Sequence, residues 1–259
     1  MAHKGYFVIG TDTGVGKTLV SAGLTRAFLD LGLSVAAMKP IASGVVPAGC
    51  FHGQDEPFWE DVTILDLADR QALGLQERSM YRLLLPASPH IAAAAEGVNI
   101  SVPRLIDCVR TQLDHREMLV VEGVGGLRVP LDYEGYELRD FVYSLGLPVI
   151  LVVGLRLGCI NHALLTLESL QAKGISLAAW IANAGLEPEY GLVQDTVKLL
   201  EQRIGMTCSA IVPQVLMGPR ALSEGTVTYQ GFTEHLVGIE AMIGSFAEIL
   251  SPLAEGLII

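Results

Sequence analysis

The residues in this chain best suited to chemistry are Lys17, Lys39, Asp61 and Glu122, together with the glycine-rich run Gly10-Thr11-Asp12-Thr13-Gly14-Val15-Gly16-Lys17-Thr18. The run follows a short apolar segment, Tyr6-Phe7-Val8-Ile9, and precedes an amphipathic stretch over residues 19–31, which reads as strand, turn and helix. Glycines let the backbone turn tightly enough for consecutive N–H groups to point at an anion. The helix that follows adds its unpaired N–H groups and the positive end of its dipole. Lys17 can then reach the outer phosphates of a nucleotide, and the Thr18 hydroxyl can ligate magnesium. The strict phosphate-loop pattern asks for glycine where this chain has Thr11, and here the glycine stands one place earlier, at Gly10. A glycine-rich turn opening an ordinary helix is the plain alternative. The Gly-Lys-Thr ending directly after a strand makes nucleotide binding the better reading.

Lys39 closes a second short strand, 34–38, and is followed by Pro40, which cannot donate to a sheet ladder and so stops the strand. In open parallel sheets the carboxyl ends of strands are where ligands bind. Glu122 ends the apolar run Met118-Leu119-Val120-Val121 and is followed by Gly123-Val124-Gly125-Gly126. An acid delivered by a buried strand beside a glycine turn suits a magnesium-orienting role. Asp61 stands in the first turn of a helix expected over 59–73, where interaction with the helix dipole explains an acid on its own. If these ends share one edge, the lysines and acids surround one phosphate chain, and positioning with charge neutralisation supplies most of phosphoryl-transfer catalysis.

The elements that must hold these residues alternate along the chain. Residues 41–57 carry Gly44, Pro47, Gly49, Gly53 and Pro57 and read as a long loop. Helices are expected from Ser88-Pro89 to about Glu96 and from Ser101 to about His115, each with serine as N-cap. An extended segment over 127–131, a helix over 137–145 and a strand over 148–153 follow. Then come a helix from Gly158 to Lys173, a strand over 177–182 with Asn183 past its end, a helix over 189–204 and a strand over 208–212. Past Pro213 the reading is weaker, with one helix over about 238–250. Repeated strand–helix alternation predicts an α/β fold: a single-domain, doubly wound, mostly parallel sheet with helices on both faces, of the phosphate-loop NTPase type, spanning 1–259.

Composition sets bounds. The chain has 259 residues, of which 51% are hydrophobic, as a sheet buried on both faces requires. A formal net charge of -11 argues against a nucleic-acid partner, whose phosphates it would repel. Cys50, Cys108, Cys159 and Cys208 are scattered without metal-type spacing and read as free thiols. Residues 1–5 run straight into the first strand, and the apolar stretch 147–157 is shorter than a bilayer span, so a cytoplasmic protein with no membrane partner is expected.

Several blocks in order resemble dethiobiotin synthetase. They are Gly10-Thr11-Asp12-Thr13 with Val15-Gly16-Lys17-Thr18, Lys39-Pro40-Ile41-Ala42-Ser43-Gly44, Ser88-Pro89-His90, Val121-Glu122-Gly123-Val124-Gly125-Gly126, Gly158-Cys159-Ile160-Asn161-His162-Ala163 and Trp180-Ile181-Ala182-Asn183. The shifted loop glycine belongs to that family's pattern. The resemblance implies ATP- and magnesium-dependent closure of a ureido ring in biotin synthesis, with 7,8-diaminopelargonate and CO2 as substrates. It implies Lys39, Lys17 and Thr13 as catalytic residues, and Thr18, Asp61 and Glu122 as magnesium ligands. It assigns ATP contacts to Gly14, Val15, Gly16, Lys17, Thr18, Leu19, Asp61, Glu122, Gly123, Val124, Gly125, Asn183, Ala184 and Pro213. Thr13, Lys39 and Ser43 would meet the carbamate, and Cys159, Ile160 and Asn161 would bind the substrate carboxylate from a partner subunit, implying a homodimer. Two other readings share the loop type. Septum-site and chromosome-partitioning ATPases are nucleotide-switched binding modules whose loop carries a signature lysine where this chain has Asp12. Amidating synthetases of the cobyrinic acid type need an added glutamine-hydrolysing domain.

Overall fold

The computed structural model describes residues 4–50, 53–187, 190–213, 221–223, 226–228 and 232–258. Its centre is a six-stranded sheet built from β1 (Gly5–Gly10), β2 (Val35–Met38), β5 (Met118–Gly126), β6 (Val149–Gly154), β7 (Leu177–Asn183) and β8 (Ala210–Val212). The strand order is β2-β5-β1-β6-β7-β8, and every pairing is parallel. β1 therefore lies between β5 and β6, where the winding direction reverses, and its carboxyl end faces the crevice that such a reversal opens.

Parallel strands need crossovers, and the sequence supplies them as helices: α1 (Lys17–Asp30), α2 (Glu60–Ala68), α3 (Leu75–Arg78), α4 (Pro89–Ala95), α5 (Val102–His115), α6 (Leu138–Leu145), α7 (Cys159–Lys173), α8 (Val193–Ile204) and α9 (Phe232–Ile258). Alternate residues of β1 serve opposite layers. Phe7 and Ile9 join a core with Leu105, Phe141 and Leu170, whereas Tyr6 and Val8 join one with Leu24, Phe28 and Phe246. The expected doubly wound sheet, covered on both faces, is what forms.

Local departures have physical causes. The helix expected over 59–73 stops at Ala68, because Asp69 turns inward to accept the Ala37 N–H at 3.0 Å. Arg70 and Gln71 then take left-handed φ values of 56° and 63°. The 41–57 loop begins as a strand, β3 (Ile41–Ser43), paired in parallel with β4 (Tyr81–Leu83), which the sequence reading did not anticipate. Residues 127–131 contribute only an isolated bridge between Pro130 and Glu137. Ser88 and Ser101 precede their helices without capping through the side chain, and the Ser88 hydroxyl bonds His90 Nδ1 at 3.0 Å instead. The helix expected from residue 189 begins at Val193, and residue 189 itself lies outside the described residues, as do residues 1–3.

The edge strand β2 is sealed by side chains. Arg78, fully buried, donates to the Ala37 carbonyl at 2.7 Å and pairs with buried Asp69 at 2.7 Å, while the Arg78 carbonyl accepts the Lys39 N–H at 2.9 Å. The backbone groups of an edge are thus satisfied, and Lys39 is fixed at its end.

The helix expected over about 238–250 is the longer α9. Its stretch Leu236–Ile258 is long and apolar enough to cross a membrane by length and composition. A stripe along it, Ile239, Met242, Ile243, Phe246, Ala247, Leu250 and Ala254, is buried against the molecule. Contact with α1 is closest at Gly23, where a Cβ would lie 2.6 Å from that of Phe246. Tyr6 donates its hydroxyl to the Leu257 carbonyl at 2.7 Å, tying the far end of α9 to β1. An antiparallel pair, β9 (Ala221–Ser223) and β10 (Thr226–Thr228), precedes it.

Candidate active site

The loop from Thr11 to Gly16 joins β1 to α1. Gly16, at φ 93°, occupies the N-cap with no side chain closing the helix end, so the first N–H groups of α1 face outward. A Cβ on Gly16 would collide with the Asn183 amide, so the position tolerates glycine for space as well as for angle. Beneath the loop, Val15 is buried, and a Cβ on Gly10 would sit 2.6 Å from its Cγ2. Val15 anchors the loop in the core.

Lys17 is 6% exposed, and its Nζ donates to the Asp12 carbonyl at 2.8 Å. Burial first, and the nearby charge of Lys39 second, push it down to about 8. Lys39 is 3% exposed, with Nζ 2.6 Å from Glu122 Oε1, 2.9 Å from Asp61 Oδ2 and 3.0 Å from the Gly123 carbonyl oxygen. Burial alone would lower it, but Asp61 and Glu122 outweigh that and hold it above its ordinary value. For Asp61 burial pulls upward, yet Lys39 and the Thr18 hydroxyl bring it below the usual carboxylate range. Glu122 lies deeper, and burial keeps it raised even in contact with Lys39.

The Thr18 hydroxyl lies 3.0 Å from Asp61 Oδ1 and 2.8 Å from Glu122 Oε1. One hydroxyl proton cannot serve both acceptors at once. Glu122 Oε2 is buried with no hydrogen-bond partner among the described residues. Converging oxygens and an orphaned carboxylate atom fit a hard divalent cation such as magnesium, which takes one or two carboxylates and completes its shell with water and phosphate. Among the described residues no group of three or more His, Cys, Asp or Glu side chains forms an all-protein metal cage.

These residues surround a single cavity of about 630 Å³. Of the residues singled out from the sequence, Thr13, Gly14, Gly16, Lys17, Thr18, Leu19, Lys39, Ser43, Asp61, Glu122, Val124 and Gly125 line it. Gly123 contributes its carbonyl to Lys39 from just behind the wall. Asn183, 5% exposed, stands under the loop, where it donates to the Val15 carbonyl at 2.9 Å and accepts the Gly185 N–H at 3.0 Å. It thereby ties the loop to the end of β7. Ala184, whose N–H bonds the Val212 carbonyl, and exposed Pro213 continue that edge, away from the cavity. Cys159, Ile160 and Asn161 do not line the cavity of their own chain. Cys159 is buried under the first turn of α7 and Asn161 is exposed.

Sequence reasoning missed part of the wall and one charge. Pro86, Ala87, Ser88, Pro89 and Val129 complete the cavity lining. The Ser88-Pro89 helix start was the available signal for that wall. Arg156, in the turn after β6, pairs with Asp12 at 2.6 Å, and nothing local marks a partner 144 residues away.

The sequence pattern of the AAA domain family matches residues 4–217, and the chain belongs to that family of phosphate-loop NTPases. Solved structures agree on the fold. The cell division ATPase MinD of Pyrococcus furiosus aligns with a TM-score of 0.58 at 16% identity, covering 98% of each chain. A ParA family ATPase of Chlorobium tepidum gives 0.54 at 13% identity over 98% of this chain and 99% of its own. The septum site-determining protein MinD of Pyrococcus horikoshii, solved with Mg-ADP, gives 0.56 at 15% identity over 97% of this chain and 95% of its own.

Proposed function

We propose that this phosphate-loop NTPase is a dethiobiotin synthetase, closing the ureido ring of dethiobiotin from 7,8-diaminopelargonate and CO2 at the expense of ATP. The observation that carries the reading is the placement of Lys39. A second buried lysine, brought from another strand, shares one cavity with Lys17, Thr13 and Ser43, and that cavity has room beyond the loop for a small acceptor. The matched family includes dethiobiotin synthetases, which supports the same reading.

The chemistry asks for this arrangement. One amine of the substrate takes up CO2 to form a carbamate, and the carbamate oxygen then attacks the terminal phosphorus of ATP, expelling ADP and forming a mixed carbamic–phosphoric anhydride. Two anions must approach each other, so cations are needed between them. Lys17 would hold the phosphate chain while Lys39 and Thr13 orient the carbamate, with Ser43 hydrogen-bonding it. The second amine would attack the carbonyl carbon of the mixed anhydride and expel phosphate, closing the ring. Thr18, Asp61 and Glu122 would hold magnesium, which neutralises phosphate charge when bound. The N-terminus of α7, with Cys159, Ile160 and Asn161, would bind the substrate carboxylate for a partner copy in a homodimer.

A second reading is that of a nucleotide-switched partitioning ATPase. The solved relatives described above are of that kind, and fold likeness fits it at least as well. Asp12 stands against it, in the place where that class carries its lysine. Supplying ATP, magnesium, the diamine and 13C-bicarbonate separates the two. Our reading predicts a product carrying the label in its ureido carbon by mass spectrometry. Absence of labelled product under conditions where the protein binds ATP contradicts it.

A further inference from the structure

A carboxylate inside a phosphate-binding loop is an electrostatic liability, and the fold contains a counter to it. Asp12 sits between Gly10 and Gly16, and its Oδ1 accepts the Thr13 N–H at 2.7 Å. Its main-chain oxygen holds Lys17 Nζ at 2.8 Å, so any strain or charge at Asp12 is felt by the lysine that must meet the phosphates. The remaining oxygen, Oδ2, faces Arg156 at 2.6 Å.

Arg156 reaches Asp12 because β6 lies beside β1. Gly10 is in register with Val152, and the Thr11 N–H bonds the Val152 carbonyl at 3.1 Å, which brings the turn after β6 alongside the loop. The two side chains are 35% and 43% exposed, so the pair adds little to folding stability. A pair that stabilises little yet touches the loop's hub calls for a different role. Charges on neighbouring groups act on a bound polyanion at distances within a Debye length, about 10 Å at 0.1 M salt.

We propose that Arg156 is a positioning residue that neutralises Asp12, so that a phosphate loop containing an acid can bind a polyanion. The inference rests on the nucleotide-binding reading of the loop and not on which acceptor the site phosphorylates. Without Arg156, the Asp12 carboxylate stands uncompensated beside the loop that must hold the phosphate chain.

The experiment is calorimetric titration with the magnesium complex of the non-hydrolysable imido analogue of ATP. Arg156→Ala should weaken binding about five- to tenfold at low salt, and the deficit should shrink at about 0.5 M salt, where the repulsion is screened. Arg156→Lys should stay within about twofold of wild type, since a charge at this position suffices. Asp12→Asn preserves the oxygen that accepts the Thr13 N–H, so the double variant Arg156→Ala/Asp12→Asn should recover affinity to within about twofold. A role as a structural brace predicts no such recovery. Wild-type affinity in Arg156→Ala at low salt, or a loss that Asp12→Asn does not restore, overturns the proposal. Because binding precedes chemistry, neither result depends on the diamine.

Discussion

Replacing Lys39 with methionine keeps most of the side-chain stem and removes one charge, and its consequences follow from the contacts the ammonium group makes. Nζ has three donors, and Glu122, Asp61 and the Gly123 carbonyl accept them at 2.6, 2.9 and 3.0 Å. With Nζ gone, Glu122, whose side chain is fully buried, keeps only the shared Thr18 hydroxyl. Removing one partner of a buried ion pair costs about 3–5 kcal/mol. Asp61 is 44% exposed and can be rehydrated, so the expected loss lies toward the lower end, about 3 kcal/mol at neutral pH. The sign of the pH dependence is fixed by Glu122. Its folded pKa is already raised by burial, and losing Lys39 raises it further. The folded variant therefore takes up a proton at a pH where the unfolded chain does not, and its deficit narrows as pH falls from 7 toward 5. Urea unfolding of both proteins at the two pH values measures this. Turnover should fall about 10²–10³-fold, as for loss of one donor aimed at developing charge. Equal stability at neutral pH together with near-normal turnover would refute the reasoning.

Other expectations concern the frame. Arg78→Met strands buried Asp69 and uncovers the edge of β2, so stability should drop by about 3–5 kcal/mol in denaturant titrations. Gly23→Ala pushes a methyl group into Phe246, including its backbone, and should cost about 1–3 kcal/mol by separating α9 from α1. Asp140 accepts the Glu137 N–H at the start of α6 and pairs with Lys173 at 2.7 Å. Burial raises its pKa, but the Lys173 and Glu137 contacts hold it below its ordinary value. Its folded pKa is thus lower than its unfolded one, so its contribution is present above the unfolded pKa and is lost as pH falls through the folded pKa. Asp140→Asn should flatten the acid limb of the stability profile, and an unchanged limb would remove Asp140 from the explanation.

The parts legible in the sequence are those that local signals encode. A strand, glycine turn and Gly-Lys-Thr helix start fixed the loop, and apolar runs ending in Lys39 and Glu122 marked residues that do converge within 2.6 Å. Asp61 had an adequate explanation in its helix alone, and only the packing of α2 against the sheet edge shows it meeting Lys39. Non-local pairs left no trace. Arg78 with Asp69 and Arg156 with Asp12 are ordinary surface residues by type, and their meaning comes from the strands that happen to adjoin them. The long α9 was read short because Gly238, Gly244 and Pro252 interrupt its pattern, and its fit depends on the absence of a side chain at Gly23. Cys159, Ile160 and Asn161 do not line the cavity of their own chain, so the role the resemblance implies for them requires a partner copy.

The most direct test follows ADP formation by the purified protein with ATP, magnesium, bicarbonate and 7,8-diaminopelargonate, each omitted in turn. The proposed chemistry predicts turnover only when all are present, since no acceptor exists until the diamine has taken up CO2. Sustained ATP turnover without the diamine, or turnover raised by DNA or lipid vesicles instead, would contradict it.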